Sequence, residues 1–255
     1  MIQLLRDKKV IFFDVGYTLD RPASGDWMLT NRFLKEAGDR LKASSEADIR
    51  KAMEAGLRYL MENHLVTTVE AEISQFYQFY SILSDALDLG LSEKQREDIA
   101  RDRACNMENY LPYPGIREVL GTLSKTHRLG VISDTWPSIE QQLEYLGISQ
   151  FLSFQTFSCY LGIFKPDRRM YLDALEKSGV AASEAVFIDD SPRNLEGAAA
   201  LGITPILIAA NPASDVETPY LKIRDLRELI QESIYPIRRM PRIWENERND
   251  GAVHH

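Results

Sequence analysis

Cysteine is scarce in this chain. Cys105 and Cys159 are its only two among 255 residues. Two cannot build a disulfide framework, and they fit a reducing cytoplasm. Long apolar runs are also missing. No stretch approaches the roughly 18 apolar residues of a membrane span. Arg6, Asp7, Lys8 and Lys9 interrupt the apolar N-terminus before a secretory h-region could form. Basic charge is in deficit, with 30 Lys and Arg against 38 Asp and Glu and a net charge of −8. That balance argues against a nucleic-acid-binding surface. There is no internal repeat and no low-complexity segment. The closing His254-His255 fits an affinity tag and carries no argument.

Hydrophobic residues make up 44% of the chain, enough for a large core. The stretch from Lys9 to Asp20 organises the rest. Val10-Ile11-Phe12-Phe13 is a short apolar run between lysines and Asp14, which reads as a strand buried on both faces. In an open α/β sheet, ligands bind at the carboxyl ends of the strands. A carboxylate presented there, as Asp14 would be, can act as a nucleophile or a metal ligand.

The remaining chain falls into blocks. Arg21 to Asp26 is rich in turn formers and reads as a flexible hinge. From Trp27 to about Tyr110 the pattern is helical, with Ser45 as a helix cap and Ser92 with Gln95 as a capping box. The aromatic and Met stripes of this block read as packing. Leu111-Pro112-Tyr113-Pro114-Gly115 marks a boundary. Beyond it, apolar runs alternate with helical patterns. Arg128 to Asp134 and Ala185 to Asp190 repeat the opening device, Phe151 to Phe157 is a weaker strand, and Ile203 to Ile208 is a fourth run. Helices are predicted over 169–179 and 193–201. This alternation predicts right-handed crossovers and a parallel α/β sheet covered on both faces. Leu221 to Ser233 carries a helical pattern. Beyond Tyr235 the segment is basic and interrupted by Pro236 and Pro241, and it reads as a strap over the core or a loose end.

The chemistry comes from the strand ends taken together. Asp14, Ser133 and Asp189-Asp190 close three strands, and Lys165 lies in a loop fixed by Gly162 and Pro166. On one sheet edge the carboxylates would repel unless a cation joined them. All-oxygen ligands suit a hard ion such as Mg²⁺. A serine hydroxyl and a lysine supply the donor and the positive charge that a phosphoryl group needs. The inferred reaction is phosphoryl transfer with Asp14 as the attacking group.

The motifs Phe13-Asp14-Val15-Gly16-Tyr17-Thr18-Leu19, Val131-Ile132-Ser133-Asp134, Lys165-Pro166-Asp167 and Ile188-Asp189-Asp190-Ser191-Pro192-Arg193-Asn194, in this order, resemble those of the haloacid dehalogenase-like (HAD) hydrolase superfamily. The resemblance extends to about Ser233. It implies a Rossmann-like parallel-sheet core, over 1–20 and 111–255 with 236–255 as a tail, and an inserted α-helical cap of the C1 type over 21–110. It also implies that Asp14 forms an aspartyl-phosphate, that Thr18 orients it, and that Ser133 and Lys165 hold the phosphoryl oxygens. Asp14, the Gly16 carbonyl, Asp189 and Asp190 would hold Mg²⁺. The substrate would be a small phosphorylated molecule read by the cap, and the protein a monomer or a homodimer.

Two positions depart from the family pattern. Asp134 stands where relatives often have asparagine. Gly16 stands where family phosphatases usually carry a second aspartate that protonates the leaving group and activates water. Acid–base help is worth about 10²–10⁴-fold, so a slow phosphatase, or one favouring good leaving groups, is expected. Asp20 or a cap residue is a candidate replacement, and Gly16→Asp is expected to speed hydrolysis of poor leaving groups. Three rivals also follow. A dehalogenase needs neither the second aspartate nor Mg²⁺, nor the Asp189-Asp190 pair. A phosphonoacetaldehyde hydrolase needs a cap lysine, for which Lys35, Lys42, Lys51 and Lys94 are available. A catalytically weak binding protein needs none of the charged set.

Overall fold

The computed structural model describes residues 2–231. Six strands form one parallel sheet in the order β5-β4-β1-β6-β7-β8. They are β1 (Val10–Phe13), β4 (Arg128–Ser133), β5 (Leu152–Phe157), β6 (Ala185–Asp189), β7 (Thr204–Ile208) and β8 (Leu221–Ile223). The strand β1 lies between β4 and β6, so the chain winds outward from it in both directions. The crevice at such a reversal is where open α/β sheets bind ligands.

All four residues of β1 are buried because both faces of the sheet are covered. Ile11 and Phe13 join Val131 and Ile188 on one face, packed against α5 (Ile116–Leu123) and α6 (Ile139–Tyr145). Val10 and Phe12 join Phe187 on the other, packed against α8 (Arg168–Ser178) and α9 (Pro192–Ala199). In the register, Phe13 pairs with Val131 and with Ile188. One residue further, Asp14 stands level with Ile132 and Asp189, and its N–H donates to the Ile188 carbonyl at 2.8 Å.

Four helices follow the first strand: α1 (Asn31–Ala43), α2 (Glu46–Glu62), α3 (Val69–Ala86) and α4 (Glu93–Cys105). Their apolar stripes form a separate buried cluster around Phe33, Leu60, Phe76, Phe79, Tyr80 and Ile99. Ser45 caps α2, and Ser92 with Gln95 forms the capping box of α4, as the sequence predicts. A short helix, α7 (Ser158–Leu161), follows β5. Among the described residues, no helix is long and apolar enough to cross a membrane.

Two segments differ from the sequence reading. Arg21 and Pro22 are not wholly hinge. With Asp20 they form β2 (Asp20–Pro22), antiparallel to β3 (Tyr110–Pro112). The outgoing and returning connections run side by side and satisfy each other's backbone groups, a pairing across about 90 residues that no local pattern reveals. The helical pattern from Leu221 instead forms β8 and a 3₁₀ turn over Leu226–Leu229. The i, i+3 spacing of Leu226 and Leu229 serves such a turn as well as an α-helix. Residues 232–255, including the basic tail, lie outside the described residues.

Candidate active site

Lys165 occupies the centre of the site. Its ammonium group donates to Asp14 Oδ1 at 2.6 Å, Asp189 Oδ2 at 2.8 Å and the Ile132 carbonyl at 3.0 Å. Its three donors are thus used, and its side chain is 1% exposed. The Lys165 backbone N–H donates to Asp134 Oδ1 at 2.9 Å, which fixes the loop. Burial works against the charge of Lys165, but Asp14, Asp189 and Asp134 outweigh it and hold the ammonium firmly protonated.

The carboxylates divide by their partners. Asp189 Oδ1 accepts from the Ser191 N–H at 2.8 Å, and Asn194 Nδ2 donates to both Asp189 oxygens at 3.1 Å. Asp190 Oδ2 accepts from the Ser214 hydroxyl at 2.8 Å. Among the described residues, Asp14 Oδ2, Asp190 Oδ1 and the Gly16 carbonyl accept no hydrogen bond. Oxygens of Asp14, Asp189 and Asp190 lie within 4.8 Å of one another. Burial raises the pKa of Asp14 well above the usual range; Lys165 opposes that rise, while Asp189 and Asp190 add to it. Burial and then Asp189 push Asp190 up to about 6. Crowded, buried oxygens with unused lone pairs fit a small hard cation.

The remaining predicted residues have distinct positions. Ser133 is buried at the end of β4 and lines the same cavity as Asp14, and its hydroxyl makes no hydrogen bond among the described residues. Thr18 is fully buried in the turn after β1, and its hydroxyl likewise has no partner. Asp20 does not line the cavity. It is buried behind Gln142, whose side-chain amide donates to it at 2.5 Å, and burial pushes it up to about 7. None of Lys35, Lys42, Lys51 and Lys94 lines the cavity, and all four are exposed.

Several cavity residues carry no signal in the sequence. The cavity measures about 240 Å³ and is walled by Trp27, Tyr110, Trp136 and Arg103 as well as Asp14 and Lys165. Trp27 lies over Gly16, where an added Cβ would come within 3.2 Å of the indole ring. Arg103 stands in a helix of mixed charge, beside Arg96 and Arg101, and only its place in the folded chain, bonded to Tyr110 and lining the cavity, singles it out.

Polar contacts tie the helical segment to the core beside the cavity. Glu72 accepts from the Ser138 N–H at 2.8 Å and the Ser138 hydroxyl at 2.7 Å. The Trp136 indole N–H donates to Gln75 at 2.6 Å, and His64 Nε2 lies 2.7 Å from the Ser158 hydroxyl. Burial pushes His64 down from 6.5 to about 4. Between those values the unfolded chain holds a proton that the folded protein does not. Stability is therefore expected to fall as pH drops through this window, by at most about 1.4 kcal/mol per unit. Urea denaturation of His64→Gln should show a flatter profile there than the unsubstituted protein. Parallel profiles would assign the slope to other groups.

A family model described as haloacid dehalogenase-like hydrolase matches residues 8–202. Flavin mononucleotide hydrolase 1 of Arabidopsis thaliana is 30% identical over 110 residues, 42% of this chain and 44% of that protein. Phosphoserine phosphatase of Thermus thermophilus is 29% identical over 125 residues, 46% of this chain and 50% of that protein. The chain thus spans about half the length of these curated relatives. The crystal structure of a 2-haloacid dehalogenase from Pseudomonas syringae pv. tomato DC3000 aligns over 88% of this chain and 96% of that one. Its TM-score is 0.59 at 22% identity, a likeness of fold alone.

Proposed function

The chain belongs to the haloacid dehalogenase-like hydrolase family, and on that premise we propose that it is a Mg²⁺-dependent phosphatase of a small phosphorylated metabolite, with Asp14 as nucleophile. The observation that carries this reading is the set of unused oxygens on Asp14, Gly16 and Asp190 beside the Lys165 ammonium. A dehalogenase has no use for three crowded carboxylates. Lys35, Lys42, Lys51 and Lys94 are exposed and away from the cavity, so a Schiff-base mechanism has none of these four amines to use. The two cysteines, unpaired, suit work in the cytoplasm.

Asp14, Gly16 and Asp190 would hold the cation, with Asp189 supporting them. Mg²⁺ there supplies charge neutralisation for the phosphoryl group. Lys165 favours the ionised form of Asp14 and aims it by gripping Oδ1, the oxygen that attacks phosphorus, while Oδ2 would face the cation. The Oδ1–P bond forms as the bond from phosphorus to the leaving oxygen breaks. The Ser133 hydroxyl is free to donate to a phosphoryl oxygen. The four-helix segment, 21–110, acts as the cap over the leaving group.

Gly16 gives no proton to the leaving oxygen and activates no water. Breakdown of the aspartyl-phosphate should therefore be slow, and the phosphoenzyme should accumulate during turnover. Trp27 modifies the expectation for Gly16→Asp, because its ring crowds the space beside Gly16. Alone, Gly16→Asp is expected to bring no gain with an alkyl phosphate. Combined with Trp27→Ala it should raise kcat, by about 10²-fold if the new carboxylate acts as acid and base. A gain from the single substitution would show that Trp27 yields. The overall reading is tested by assaying p-nitrophenyl phosphate and a panel of phosphate esters with and without Mg²⁺. No metal-dependent phosphate release from any of them would overturn it.

A further inference from the structure

The cavity contains a second cationic group that the reaction at Asp14 does not use. Arg103, in the last turn of α4, is 5% exposed and lines the cavity shared with Asp14 and Lys165. Its Nη1 donates to the Tyr110 hydroxyl at 2.5 Å. Its Nε is buried and has no partner, and Nη2 makes no hydrogen bond among the described residues. The guanidinium lies 4.7 Å from the Phe76 ring centre and 5.8 Å from those of Tyr110 and Trp136. Those rings hold it in place and exclude water from it.

Two carboxylates sense this charge without pairing to it. Both oxygens of Glu72 are taken by Ser138, and Asp20 is held by Gln142. A buried guanidinium left with most of its donors unused is costly unless something else completes it. Its planar fork matches a carboxylate in two parallel hydrogen bonds. The cavity, at about 240 Å³, is smaller than the roughly 300–1,000 Å³ of ordinary ligand pockets, which suits a leaving group of a few atoms.

We infer that Arg103 is the specificity-determining residue of the cavity, and that the substrate is a short phosphorylated acid whose leaving group carries a carboxylate. The inference rests on the proposal that the phosphoryl end sits at Asp14, but its test does not require turnover. The probes are 3-phosphonopropionate and propylphosphonate, a matched pair that differs in the carboxylate and cannot be hydrolysed at phosphorus. Each is titrated calorimetrically into the full-length protein with Mg²⁺ present. The unsubstituted protein should bind the carboxylate probe at least tenfold more tightly. Arg103→Met should lose about 10–10²-fold in affinity for that probe, the worth of hydrogen bonds to a charged group, and change little for propylphosphonate. Arg103→Lys should recover part of the preference. A propane bisphosphonate included as a third probe should bind less tightly than the carboxylate probe. Tighter binding would overturn the choice of carboxylate, as equal losses on both matched probes would overturn a recognition role. Failure of phosphatase activity with this binding pattern intact would refute the proposed reaction and leave the inferred specificity standing.

Discussion

Asp14→Asn is expected to lower Mg²⁺-dependent hydrolysis of p-nitrophenyl phosphate by at least about 10³-fold, the scale on which loss of a covalent nucleophile acts. The same substitution should leave the fold intact and, without added cation, make it more stable. Burial raises Asp14's pKa well above the usual range, so its ionised form opposes folding. For an acid whose folded pKa is raised, stability is fullest below the unfolded value and is lost as pH rises through the folded one. A neutral amide removes that loss. Thermal denaturation at neutral pH with a chelator checks this. A protein that is inactive and also strongly destabilised would point to a structural role for Asp14.

The second large effect is expected at Lys165. Its ammonium is the shared partner of Asp14 and Asp189, both buried. Lys165→Met would leave two carboxylates facing each other without compensation. Breaking a buried pair on one side costs about 3–5 kcal/mol, and that loss should appear in urea denaturation without metal. A bound divalent cation would take over part of the neutralisation, so Mg²⁺ should return a measurable share of the stability. Activity should still fall by about 10²–10³-fold, because the cation does not replace the group that grips Asp14 Oδ1. Unchanged stability in chelator would mean that the carboxylates are less crowded than the geometry requires.

Much of this arrangement is legible in the sequence because it is local. A buried strand announces itself by an unbroken apolar run, and the residue that ends it inherits the sheet edge. Asp14, Ser133 and Asp189 follow from that rule together with the parallel topology. The helix caps Ser45 and Ser92 are legible for the same reason, since a cap acts within a few residues of itself. What escapes is set by distant packing. The ribbon of β2 and β3 joins segments about 90 residues apart. The strand β8 is three residues long, too short to establish a period of two. Trp27 and Arg103 reach the cavity only because the helical segment folds back over the sheet, and in sequence neither differs from a packing aromatic or a surface arginine. The structure thus adds to the Gly16 reading a physical reason why an acid is not simply restored there: an added Cβ would come within 3.2 Å of the Trp27 indole, so the ring must shift to admit a side chain.

The most direct test of the central claim is the mass of the protein quenched in acid during turnover. Protein is mixed with Mg²⁺ and a small acyl phosphate, stopped within the first turnovers, digested and analysed by mass spectrometry. A gain of one phosphoryl group on the peptide containing Asp14, absent with chelator and absent in Asp14→Asn, is the predicted result. Turnover of the acyl phosphate without that adduct, or an adduct that persists in Asp14→Asn, would contradict the account.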